Sequence, residues 1–139
     1  MLQTEWLDGT VADQVYWHYT PFPLPYHDHT FQVTQIVPYL MDLCIEDSSN
    51  CLMNAYKDYC FAQLNNVLSQ TDVSQVDFIA EWTAQVAAEF DLDQATLASL
   101  YESGNGFNTN SSVRDFWKYA ASKTVMGTPT AFINGVKLL

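Results

Sequence analysis

The stretch Val125-Met126-Gly127-Thr128-Pro129-Thr130-Ala131-Phe132-Ile133-Asn134-Gly135-Val136-Lys137 constrains this chain more than any other. Asn-Gly is the strongest short hairpin signal, because both central residues of a type I′ turn need a positive φ. The turn makes Thr130–Ile133 and Val136–Leu139 an antiparallel pair. Pro129 opens the first strand, where a missing N–H costs the ladder least. A Thr-Pro bond can be cis at a cost of roughly 0.5–1 kcal/mol. The tight Gly-Thr-Pro-Thr approach to a strand is a place for one, so Thr128-Pro129 is expected to be cis.

Taken in order, the chain starts with Met1–Leu7, which reads as the tail of a helix stopped by Gly9. Val15, Trp17 and Tyr19 alternate with Tyr16 and His18, so Val11–Tyr19 reads as a strand. Both of its faces are bulky, which predicts cover on both sides. Pro21, Pro23 and Pro25 then hold the chain extended. Asp28 or Thr30 can cap a helix from about Phe31 to Ile45, kinked at Pro38. Glu46–Asn50 is a polar turn. Further helices are expected over about Cys51–Leu68, Ser74–Phe90 and Gln94–Glu102. After the Gly104-Asn105-Gly106 loop, a last helix starts at Asn110 or Ser111 and runs to about Thr124. It places Val113, Phe116, Trp117 and Ala120 inward. Strand, helical block, helix and hairpin in this order make an α/β or α+β domain with a small sheet.

Composition narrows the partners. The formal net charge is −11, with five Lys and Arg against sixteen Asp and Glu. Such a surface repels phosphate backbones, which argues against nucleic acid. It also disfavours an anionic membrane, and no stretch is long and apolar enough for membrane insertion. Met1–Trp6 is acidic and amphipathic, unlike the start of a secretory signal.

Candidate chemistry is sparse. Cys44, Cys51 and Cys60 include no Cys-x-x-Cys pair, so no catalytic dithiol is expected in this chain. Cys44 and Cys51 flank the polar turn and can close a short loop; a straight helix through both would hold them about 10 Å apart. Cys44–Cys60 across a helical hairpin is the alternative. The polar turn predicts a Cys44–Cys51 disulfide with Cys60 buried and reduced. His27-Asp28-His29 lacks a further ligand set, so it reads as a polar helix start, with no metal and no cofactor expected. His18 reads as a core histidine. Asn110-Ser111-Ser112 is a glycosylation sequon. With a disulfide it points to the secretory pathway, the endoplasmic reticulum lumen or the exterior.

The Gly127-Thr128-Pro129-Thr130 run followed by Phe132-Ile133-Asn134-Gly135 resembles the end of the thioredoxin fold in DsbA-like thiol–disulfide oxidoreductases. Upstream, Tyr19-Thr20-Pro21-Phe22-Pro23-Leu24-Pro25-Tyr26-His27 is similar to that family's strand ending in Pro-Leu-Pro-Tyr-His before a helix. The two motifs cover about a sixth of the chain. The resemblance implies one thioredoxin-like domain over residues 1–139, incomplete at both ends, with a helical insertion over residues 30–107. It implies that the central strand leading to the redox helix is absent from this chain. In that family the residue before the cis proline offers its backbone to an extended polypeptide, a role that falls on Thr128, with Pro129 keeping the site clear. A polypeptide substrate or partner protein follows. A redox-inactive polypeptide-binding or structural subunit is the alternative, and a glutathione-using relative of the same fold is a third.

Overall fold

Eight short helices and two two-stranded hairpins are described over residues 5–6 and 9–138 of the computed structural model. The fold is α+β, with helix dominant. Strand β1 (Glu5–Trp6) pairs antiparallel with β2 (Gly9–Thr10). The expected helix tail at Met1–Leu7 lies partly outside the described residues, and Glu5–Trp6 within it is strand instead. Helix α1 (Val11–Gln14) follows directly.

The predicted strand Val11–Tyr19 is corrected by the structure. Asp13 Oδ2 accepts from the backbone N–H of Thr10 at 2.8 Å and from its hydroxyl at 2.7 Å. These bonds favour a helical turn at the chain's approach. Residues 15–19 have no regular structure and no ladder partner among the described residues. Their side chains are not covered on either face: Tyr16 is 95% and Trp17 is 65% exposed. His18 is likewise exposed rather than a core histidine.

The helical block begins with α2 (Thr30–Thr34) and α3 (Val37–Glu46). A single helix kinked at Pro38 was the expectation. The chain breaks instead, and Pro38 takes the first turn of α3, where its missing N–H leaves no intrahelical bond unmade. The N-cap of α2 is His29, at φ 65°, rather than Asp28 or Thr30. The Thr30 hydroxyl points backward and donates to the His27 carbonyl at 3.0 Å. The long helix expected from Cys51 is likewise two, α4 (Met53–Ala62) and α5 (Leu64–Ser69).

Helix α6 (Gln75–Phe90) is the longest. Ser74 caps it, its hydroxyl oxygen accepting from Asp77 N–H at 3.2 Å while donating to Asp77 Oδ2 at 2.7 Å. Helix α7 (Gln94–Ser99) has Asp93 as its cap, accepting from Thr96 N–H at 2.6 Å. Helix α8 (Thr109–Ser122) leads to β3 (Phe132–Ile133) and β4 (Val136–Lys137).

One core forms where these helices meet. Ile36, Leu40, Tyr56, Val67, Phe78, Trp82, Val86, Leu97 and Leu100 are buried together. The N–H of Trp82 donates to the Tyr56 hydroxyl at 3.1 Å, and that hydroxyl donates to the Val33 carbonyl at 2.7 Å. Tyr101 donates to the Gln32 carbonyl at 2.8 Å. These polar groups are thus paired inside an aromatic core, as buried hydroxyls and indoles require.

Cys44, near the end of α3, is bonded to Cys51 across the turn Ser48–Asn50, with Cα atoms 4.4 Å apart. The bond fixes how α3 hands over to α4. Replacing both cysteines with serine should lower stability by about 2–3 kcal/mol, the loop-closure value for so short a loop. An unchanged urea midpoint in the double variant would contradict this structural role.

Candidate functional site: the Thr128–Pro129 loop and its hairpin

The end of α8 sets up this site. Lys123 closes the helix, and Thr124 adopts φ 59°. Thr124 N–H donates to Ala121 O at 2.9 Å and Val125 N–H to Ala120 O at 3.1 Å. This is the 5→2 and 6→1 pairing of a Schellman end, in which the left-handed position is usually glycine. Here a β-branched residue occupies it. The Lys137 ammonium donates to the Thr124 carbonyl at 3.0 Å, tying β4 back to this turn.

The loop then reverses into the hairpin. The Thr128-Pro129 peptide is cis. The Thr130 hydroxyl donates to the Gly127 carbonyl at 2.7 Å, bracing the loop across the proline. Asn134 and Gly135 have φ of 49° and 81°, as a type I′ turn demands. Phe132 faces Lys137 and Ile133 faces Val136, and Leu138 N–H donates to Ala131 O at 2.9 Å. The regular strands are shorter than Thr130–Ile133 and Val136–Leu139, and Leu139 lies outside the described residues.

This hairpin is uncovered. Ile133 is 60% and Val136 69% exposed, with Phe132 and Leu138 also open to solvent. Thr128 and Pro129 are exposed. Among the described residues, neither backbone group of Thr128 makes a hydrogen bond, and β3 pairs with β4 alone. One edge of β3 and the adjoining Thr128 peptide therefore present unpaired donors and acceptors beside apolar side chains. Such an edge accepts an added strand.

The other residues singled out from sequence lie elsewhere. Cys60 on α4 is half-buried, and burial pushes its thiol up to about 12. A thiol so poised is protonated and unreactive near neutrality. Cys44 and Cys51 are joined to each other, which leaves no free dithiol among the described residues. The His29 ring stacks on Phe78 at 4.1 Å, and its Nε2 lies 3.0 Å from the Gln70 carbonyl. His27 stands edge-on to Tyr26. Among the described residues, no three His, Cys, Asp or Glu side chains converge as a metal site would need. Asn110 is exposed in the first turn of α8, and its Oδ1 accepts from Arg114 Nε at 2.8 Å.

Reading from sequence missed a groove between residues 23–31 and α8, lined by Leu24, Phe31, Arg114 and Trp117 among others. Trp117 was expected inward, yet it is 41% exposed at this groove. Arg114 and Lys118, one helical turn apart in a chain with five cations, were the available signal. No helix among the described residues is long and apolar enough to cross a membrane. No protein-family model, no curated protein and no solved structure matches this chain.

Proposed function

We propose that this chain is the helical and proline-loop part of a DsbA-like thioredoxin-fold protein of the thiol–disulfide oxidoreductase type. Its redox segment is supplied from outside these residues, and Thr128, Pro129 and β3 receive an extended polypeptide. The observation that carries this reading is the uncovered edge of β3, continuous with the unpaired peptide groups of Thr128. Main-chain bonds to that edge would give affinity, and Phe132 and Ile133 would supply apolar contact.

A second reading has its own support. The thiol of Cys60 is shielded and the other two cysteines are bonded together, which favours a redox-inactive polypeptide-binding subunit. An oxidising compartment, such as the endoplasmic reticulum lumen, suits that disulfide and the Asn110 sequon under either reading.

Insulin reduction separates the two. The intact native polypeptide, isolated from its source, should reduce insulin above the thiol background, and the 139-residue chain alone should not. Background turnover by the intact polypeptide, with retained binding of extended peptides, would replace the first reading by the second. Turnover by the chain alone would overturn both.

A further inference from the structure

The chain holds a second concave site, remote in chemistry from the hairpin. Pro23, Leu24, Pro25 and Phe31 line it from one segment, and α8 supplies Arg114, Trp117 and Lys118. The cavity is about 330 Å³. That volume is at the lower limit for organic ligands, so its occupant is small. The proline run keeps its own wall stiff, because each ring fixes φ. Phe22 stacks on Trp117, with ring centres 5.9 Å apart.

Arg114 sets the polarity of the site. Its Nε donates to Asn110 Oδ1 at 2.8 Å, and its guanidinium lies 5.6 Å from the centre of the Phe31 ring. Two contacts therefore hold it in place. Its terminal N–H groups make no hydrogen bond among the described residues, and no carboxylate lies within ion-pair distance of it there. This is notable in a chain with sixteen carboxylates and five cations. The helix dipole does not account for the arginine, since it sits in the first half of α8, away from the carbonyl end that attracts cations. Lys118, a turn later, adds a second cation, partly offset by Asp115 at 3.1 Å. The Thr30 hydroxyl is already spent on the His27 carbonyl.

An apolar groove lined in part by a positioned, unpaired guanidinium fits one ligand chemistry. We propose that this groove binds a small organic acid, with a flat apolar body on Trp117 and Leu24 and its carboxylate paired to Arg114. The planar guanidinium can grip both carboxylate oxygens, which an ammonium cannot do. Asn110 is a positioning residue, holding the guanidinium through Nε and leaving its terminal nitrogens without a protein partner among the described residues.

The test uses 3-phenylpropionate and its neutral amide on the whole chain, followed by nuclear magnetic resonance at the Trp117 and Arg114 side chains. The acid should give saturable shifts at both residues, and the amide should bind about fivefold more weakly, the upper range for an exposed ion pair. Arg114→Gln should remove that difference by weakening the acid alone, while Asn110→Ala should weaken the acid partially. Both substitutions are on the surface, so the unperturbed resonances of buried Val86 and Leu97 would report an intact fold. Equal affinity for acid and amide, an unchanged response in Arg114→Gln, or no saturation would overturn the assignment. A peptide ending in phenylalanine, compared as free acid and as C-terminal amide, distinguishes the source of the carboxylate. Binding of the peptide acid without 3-phenylpropionate would make the occupant a chain terminus and overturn the small-acid proposal.

Discussion

Replacing Trp82 with alanine is expected to destabilise the protein by about 3–5 kcal/mol, the cost of deleting a buried aromatic. Trp82 is 2% exposed. It stacks on Phe78 at 6.0 Å, packs against Tyr59 at 5.7 Å and meets Tyr56 edge-on at 6.5 Å. Removing it opens a cavity that three rings from two helices cannot collapse into without leaving their own places. It also strips the Tyr56 hydroxyl of its donor from the indole N–H. The loss is a large part of the 5–15 kcal/mol that holds a typical domain together, so the urea midpoint should fall by a correspondingly large fraction. Trp82→Phe separates the two contributions. It keeps most of the ring packing and forfeits the hydrogen bond, and should cost about 1–2 kcal/mol beyond the lost volume. Urea denaturation followed by circular dichroism reads both. A loss below about 1 kcal/mol in Trp82→Ala would place this residue outside the core.

The same cluster shows what a sequence can and cannot disclose. The apolar spacing of Ile79, Ala80, Val86 and Phe90 marked a helix over about Ser74–Phe90, which α6 occupies, but Val76, read on the same stripe, is 76% exposed. Asn134-Gly135 marked the hairpin, because its backbone requirement is local. Such signals depend on residues a few positions apart. Val11–Tyr19 failed for the opposite reason. Alternating bulky residues favour an extended chain, but a strand exists only when another strand pairs with it. Among the described residues none does: Val11–Gln14 turns helical instead, and residues 15–19 are irregular and exposed. Pro38 was legible as an interruption, but whether it bends a helix or begins one depends on the buried contacts of Ile36, Val37 and Leu40. Arg114 and Lys118 were the legible trace of the groove, but its opposite wall was not, because Arg114 meets Phe31 across the fold. Neither residue's neighbours in sequence announce the other. The hairpin's apolar edge was written in Phe132, Ile133 and Val136, but its exposure belongs to the fold.

Alkaline pH should unfold this protein by a route that its buried hydroxyls and thiol dictate. Burial holds the Cys60 thiol up at about 12, against an ordinary value of 9.0. Burial also pushes Tyr56 and Tyr101 above the usual phenol range. Each tyrosine donates its proton to a backbone carbonyl, Tyr56 to Val33 and Tyr101 to Gln32, and the phenolate could not. The folded state therefore keeps these three protons where the unfolded chain releases them, and Tyr39 and Tyr59, also raised by burial, add to the phenol part. With fewer protons bound in the unfolded state, stability falls as pH rises. It is intact below the ordinary thiol value and declines from about pH 9 toward 12, by up to about 1.4 kcal/mol per pH unit for each group engaged. The thiol acts first and the phenols join near pH 10, so the decline should steepen there. Cys60→Ala should remove the first part of the slope and leave the second, which begins at the ordinary phenol range. Urea midpoints measured at pH 7, 9, 10 and 11 test the order. A stability unchanged between pH 9 and 11 would mean that Cys60, Tyr56 and Tyr101 are open to water in the folded chain, and would dissolve the core built around Trp82.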